Sequence, residues 1–192
     1  MEPDSNKIIL ITAPSGSGKT TIVKKILELN SNLEFSVSAT TRAIRGNEKD
    51  GVDYYFISLQ DFEEKIKSNA FAEYEMVYTN KYYGTLKEKL NDIWARQHFP
   101  LADIDVKGAI KLKNYFGKNA LSIFIKPPSI EELRKRLEKR NTDLPEAIDE
   151  RIKKAKEELT FENKFDLVVI NDVLQNAIEK VHLSINNFLK IN

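Results

Sequence analysis

Residues 7–20, KIILITAPSGSGKT, decide how the rest of the chain is read. Lys7 to Thr12 is a short, unbroken apolar run rich in β-branched residues, the pattern of a strand buried on both faces in a parallel sheet. Ala13 to Thr20 fits GxxxxGK[ST] with Ala in place of the first Gly, and Ile22, Val23, Ile26 and Leu27 then recur at helical spacing. Strand, glycine-bearing loop and helix are the context in which this pattern cradles phosphate.

The chemistry requires these residue types. Ala13, Pro14, Ser15, Gly16, Ser17 and Gly18 are small enough for consecutive backbone N–H groups to turn inward around an oxyanion, and the helix N-terminus adds its positive end. Lys19 would reach the outer phosphates, and the Thr20 hydroxyl would complete the shell of a Mg²⁺ ion. Ala13 is tolerated provided its φ stays negative. A dinucleotide reading fails, because Gly16-x-Gly18 is followed by Thr21 where the last glycine of GxGxxG belongs. The expected ligand is a nucleoside triphosphate carried with Mg²⁺.

Around this loop, composition bounds the answer. A chain of 192 residues with 41% hydrophobic residues fits one domain with small inserted lobes. Thirty Lys and Arg against 29 Asp and Glu leave a net charge of +1, so no global field draws nucleic acid or an anionic membrane. The absence of cysteine excludes disulfides, thiolate metal sites and a cysteine nucleophile. The opening MEPDSNK is polar and the run behind it is too short for a signal segment, so a cytoplasmic protein is expected.

Further strand-like runs at Leu101 to Val106, Leu121 to Ile125 and Leu167 to Ile170 are each followed by a helical pattern, which predicts a parallel α/β sheet. Residues 35–85 carry alternating and aromatic stretches that predict a small mixed β lobe, interrupted by a helix opened by Ser58 with Asp61. Ser129 and Glu132 form a capping box after Pro127 and Pro128, and a second helix starts near Pro145. These two helices, joined by the polar turn Asn141 to Leu144, are expected to make a flap. The last helix, with Leu174, Ala177, Ile178, Val181, Ile185 and Phe188 on one stripe, is expected to pack on the sheet.

Arg42 and Arg45 lie among hydroxyl residues near Tyr54, with Tyr83-Gly84-Thr85 beyond; arginine forks with hydroxyl donors suit a second phosphate. On helical geometry Arg136 and Arg140 border the apolar stripe of Leu133 and Leu137, and Arg151 borders that of Ile148 and Ile152. Three arginines on an inward margin suit a grip that closes over transferring phosphates, although stems laid over an apolar edge would look the same.

Taken together, APSGSGKT, SATTR with a following Arg, Glu48, DYYF, FAEY, YYGT, DID, PPS, RLEKR and VIND resemble the guanylate kinases in order and spacing over residues 7–187. That resemblance implies a P-loop NTPase three-layer α/β core with a parallel sheet (7–35, 88–128, 159–192), a small mixed α/β GMP-binding lobe (36–87) and a helical lid (129–158). It implies ATP:GMP phosphotransfer in GMP recycling, with dGMP as a further acceptor and no obligate protein partner. GMP phosphate would be held by Ser38, Arg42, Arg45, Tyr54 and Tyr83, with Glu48 beside them. Guanine would be read by Glu73, Thr85 and Asp103, and Asn171 would lie near adenine. Guanine offers N1–H and an exocyclic amine side by side to a carboxylate, whereas adenine presents an acceptor there.

An acceptor phosphate is already ionised, so alignment and charge neutralisation suffice and no catalytic histidine is needed. Lys19, Arg136, Arg140 and Arg151 would spread the transferred charge, and Asp105 would meet the Mg²⁺ water shell. Ala102 before DID and Asn141 after the lid arginine depart from the family pattern without touching a proposed ligand. Two other readings stay open at this level: a P-loop kinase for another phosphorylated acceptor, and a non-catalytic interaction domain of the same family.

Overall fold

The computed structural model describes residues 6–139 and 145–190. In chain order these form β1 (Ile8–Thr12), α1 (Lys19–Leu29), β2 (Leu33–Phe35), β3 (Ala39–Thr40), β4 (Tyr55–Phe56), α2 (Leu59–Lys67), β5 (Phe71–Tyr78) and β6 (Lys81–Leu86). There follow α3 (Lys87–Ala95), β7 (Phe99–Asp103), α4 (Val106–Phe116), β8 (Ala120–Lys126), α5 (Ile130–Lys139), α6 (Pro145–Leu159), β9 (Leu167–Ile170) and α7 (Leu174–Leu189).

β1 is buried from end to end and lies at the centre of a five-stranded parallel sheet ordered β2-β7-β1-β8-β9. Its alternate side chains feed two layers. Ile9 and Ile11 pack with Ile22 and Ile26 of α1 and with Val181 and Ile185 of α7. Ile8 and Leu10 pack with Leu90 of α3 and with Ala109 and Leu112 of α4. Each such isoleucine contributes about 1.5–3 kcal/mol through burial, which is why so continuous an apolar run tolerates no polar substitution. The parallel register pairs Ile11 with Asp103, so the last residue of β7 stands beside the loop that leaves β1.

The second sheet, ordered β4-β3-β6-β5, has its own small core of Ala39, Phe62, Phe71 and Leu86. Its antiparallel β5/β6 pair places Glu73 opposite Thr85 and Glu75 opposite Tyr83. α4 of the main layer packs on β5, and Lys111 Nζ donates to the Tyr74 carbonyl at 2.9 Å. α5 and α6 close on each other through Leu133, Leu137, Ile148, Ile152 and Ala155.

Three local expectations change. The run read as a strand from Leu101 to Val106 is a strand over Phe99–Asp103; Asp105 Oδ1 accepts from the amides of Lys107 and Gly108 and caps α4, which ends the strand. Leu33–Phe35 is a fifth strand of the main sheet, paired in parallel with β7. Ser129 Oγ accepts from Glu132 N at 3.1 Å as a cap should, but the Glu132 carboxylate accepts from Arg136 Nε at 2.9 Å. The expected turn at Asn141 to Leu144 lies outside the described residues.

Candidate active site

The loop after β1 is held open by two glycines in the left-handed region, Gly16 at φ 93° and Gly18 at φ 92°. Ala13 keeps a negative φ, as its Cβ requires. Asn171, only 5% exposed at the end of β9, donates its side-chain amide to the Ser17 carbonyl at 2.7 Å. A Cβ on Gly18 would collide with that same amide. The Asn171 side chain is thus committed to the loop backbone. Lys19 Nζ forms an ion pair with Asp103 and approaches the Ile104 carbonyl at 3.5 Å.

One cavity of about 430 Å³ joins this loop to the second sheet. Ser15, Gly16, Gly18, Lys19 and Thr20 line one side, and Ser38, Tyr54, Glu73 and Tyr83 line the other. Asp103 and Asp105 lie between them. Its size suits a bound small molecule, and its polar groups converge from three layers.

Glu73 is 7% exposed and accepts from Thr85 Oγ1 at 2.9 Å. Burial pushes its carboxyl up to about 7, against the opposing pull of the Thr85 hydrogen bond. Arg42, also 7% exposed, donates to both Glu48 oxygens at 2.6 and 2.7 Å, to the Ala43 carbonyl at 2.9 Å and, through Nε, to the Tyr83 hydroxyl at 3.1 Å. Its guanidinium also lies 4.8 Å from the Tyr54 ring centroid. The Arg42 hydrogen bond, with a second from the Arg45 amide, holds Glu48 down to about 2. A guanidinium has five N–H groups, and these bonds engage four of them, so Arg42 is fixed in place. The Glu48 carboxylate is thus engaged by Arg42 and the Arg45 amide. Arg45 is exposed on the loop beside it.

The helical pair reaches the loop. Arg151 Nη1 donates to Ser15 Oγ at 2.7 Å, and Arg136 Nη1 donates to the Asn171 carbonyl at 3.0 Å. A Cβ on Gly16 would come within 2.9 Å of Leu133 and Leu137, so α5 rests directly on the loop. Arg140 lies outside the described residues.

Thr20, at the start of α1, and Asp105, with Oδ1 spent on the α4 cap, offer hard oxygen atoms to this cavity. Among the described residues no group of three or more His, Cys, Asp or Glu could hold a metal by itself. A sparse oxygen set of this kind fits Mg²⁺ carried in with substrate phosphates and its own waters, not a protein-built cage.

Sequence reading passed over three charged residues that line the same cavity: Glu75, Lys154 and Glu158. A signal existed for each. Glu75 follows Glu73 by two on a strand and so shares its face, and Lys154 and Glu158 follow Arg151 by three and seven on a helix. Burial raises the Glu158 carboxyl. The two histidines lie elsewhere: His182 meets Asn30 and Asn186, and His98 meets Glu34. Among the described residues no helix is long and apolar enough to cross a membrane.

Comparison with known proteins bears on this arrangement. A family model described as guanylate kinase matches residues 5–187. The chain is 50% identical over 185 residues to the guanylate kinase of Bacteroides fragilis, covering 96% of this chain and 91% of that one. It is 47% identical over 184 residues to that of Porphyromonas gingivalis, covering 95% and 98%. A crystal structure of guanylate kinase from Anaplasma phagocytophilum superposes with a TM-score of 0.72 at 32% identity, covering 97% of this chain and 86% of that one. Shikimate kinase from Bacteroides thetaiotaomicron, at TM-score 0.51 and 13% identity, shares the fold alone.

Proposed function

This chain belongs to the guanylate kinase family, and from that premise we infer that it transfers the terminal phosphoryl group of ATP to GMP, giving ADP and GDP in GMP recycling. The observation that carries the reading at the level of residues is the single cavity with the phosphate loop on one wall and Glu73, Tyr83 and Tyr54 on the other. Two polyanions can meet there end to end.

In this reading the loop amides and Lys19 hold the donor phosphates, and Lys19 leaves Asp103 for them when ATP arrives. When bound, Mg²⁺ supplies neutralisation of charge on the β- and γ-phosphates. Thr20 and Asp105 are the residues that would face it. Arg151, Arg136 and Arg140 balance the charge of the transferred group, and the two described ones are supported by their reach to Ser15 and Asn171. Arg42, held by Glu48, serves the acceptor phosphate together with Ser38, Arg45, Tyr54 and Tyr83. Glu73 accepts N1–H and the exocyclic amine of guanine, Thr85 orients it, and Asp103 stands at the junction of the two substrates. Asn171 meets adenine only through its position at the loop, since its amide is already engaged. The division into core, lobe and lid at residues 36–87 and 129–158 belongs to the same reading, as does a cytoplasmic site of action where ATP and GMP are found.

The test is an ADP-release assay across GMP, dGMP, AMP, CMP, UMP and a ribose bisphosphate. Guanine acceptors alone should support turnover; turnover with only a non-guanine acceptor would overturn the reading.

A further inference from the structure

β5 presents two carboxylates to the cavity, and the second has no part in the account above. Glu73 and Glu75 share one face of the strand, about 6.8 Å apart along it. Both line the cavity. The antiparallel register sets them in successive rows: Glu73 opposite Thr85, then Glu75 opposite Tyr83. On the proposed reading, on which this inference rests, the first row faces guanine. The second carries Tyr83, whose hydroxyl meets Arg42 at 3.1 Å and so belongs to the phosphate end. Glu75 therefore lies at the level between base and phosphate, where the sugar must pass.

The chemistry of the nucleotide fits that level. The guanine edge that carries the exocyclic amine runs on into the ribose 2′-hydroxyl, so a chain of donors (N1–H, the amine, then the 2′-OH) faces one side. Glu73 takes the first two, and the next acceptor along the strand is Glu75. The side chain is also anchored. Lys111 Nζ, from α4, pairs with Glu75 Oε2 while donating to the Tyr74 carbonyl at 2.9 Å. The pair offsets a negative charge that would otherwise repel the acceptor phosphate, and it leaves Oε1 for a donor.

We propose that Glu75 accepts a hydrogen bond from the 2′-hydroxyl of the acceptor nucleotide, making it a specificity residue that favours GMP over dGMP. The Glu75 side chain is 26% exposed, so water competes with the hydrogen bond. The expected preference is therefore about tenfold, not the 10⁴-fold or more of a fully enclosed hydroxyl site.

The test compares kcat/KM for GMP, dGMP and AMP in the wild-type enzyme, Glu75→Ala and Glu75→Gln. Wild type should favour GMP over dGMP by about tenfold; Glu75→Ala should bring that ratio close to one while keeping a high GMP:AMP ratio. Glu75→Gln, which retains an oxygen for Lys111 and the hydroxyl, should fall between. An unchanged GMP:dGMP ratio in Glu75→Ala would overturn the proposal, as would a parallel collapse of the GMP:AMP ratio. Failure of the guanine reading itself would appear separately, as an unchanged GMP:AMP ratio in Glu73→Gln.

Discussion

Asp103 at the end of β7 holds the ammonium of Lys19, the lysine of the phosphate loop, in an ion pair that crosses from one parallel strand to the helix that follows its neighbour. The Ile11–Asp103 register makes this contact possible. The lysine thus has a carboxylate partner in this structure, and on the proposed reading donor binding would exchange one anion for another.

Lys19→Ala should lower kcat about 10²–10³-fold, the usual cost of losing one charge that stabilises the transferring group. Both side chains are only about a fifth exposed, so removing the lysine leaves a mostly buried Asp103 carboxylate without this partner. The melting temperature should therefore fall, by about 2–4 °C for each kcal/mol lost in a chain of this size. Steady-state kinetics and a melting curve on the same sample check both halves, and unchanged turnover would remove Lys19 from the mechanism.

Glu73 predicts a pH dependence. With its carboxyl near 7, the group is increasingly protonated as pH falls from 8 to 6, and the acid form cannot accept both guanine donors. kcat/KM for GMP should fall about tenfold per pH unit below 7, and Glu73→Gln should remove that slope while losing guanine selectivity. Folding stability runs the other way. A carboxyl whose folded pKa is raised contributes stability fully below its ordinary 4.5, and that contribution is lost as pH rises through about 7. Denaturant titrations at pH 5 and 8 should show the difference in wild type and not in Glu73→Gln.

Glu48 grips Arg42 through two short hydrogen bonds, so Glu48→Gln should raise KM for GMP several-fold with kcat nearly unchanged. Because this carboxylate is held down to about 2, it should add no inflection to activity between pH 5 and 9. A Michaelis series in GMP at fixed ATP reads the effect. A loss confined to kcat would argue that Glu48 does something other than hold Arg42.

Asn171 links the loop to α5, giving its amide to Ser17 and its carbonyl to Arg136. Asn171→Ala leaves the buried Ser17 carbonyl unpaired, which costs about 1–3 kcal/mol and should lower Tm by about 2–4 °C for each kcal/mol in a chain of this size. KM for ATP should rise with it. Calorimetry and ATP titration check the pair; a stable variant with unaltered ATP affinity would show that the loop needs no such support.

Much of this was legible in the sequence because it rests on local pattern. The strand-loop-helix of residues 7–29 and the Ser58 cap are decided within one turn of chain. The misread pieces have physical reasons. Pro100 lacks an N–H, so the strand pattern reads cleanly only from Leu101, yet β7 begins at Phe99 because it is tied by Phe99 N to the Asn32 carbonyl at 2.8 Å. Leu33–Phe35 is too short for its alternation to be told from the lobe that follows. At the site, residue identities came from motifs, and Arg42 meets Glu48 only six residues on in the same loop, but the engagement of Lys19 by Asp103 and of Arg151 by Ser15 spans elements whose meeting only the fold decides.

The central claim is that one cavity receives both nucleotides, phosphates inward. Its most direct test is a crystal structure with adenosine and guanosine joined by a pentaphosphate. The polyphosphate should lie on the amides of residues 15–20 with Lys19 turned from Asp103, and the guanine edge against Glu73. A guanosine bound away from Glu73, or a phosphate chain that bypasses the loop, would contradict it.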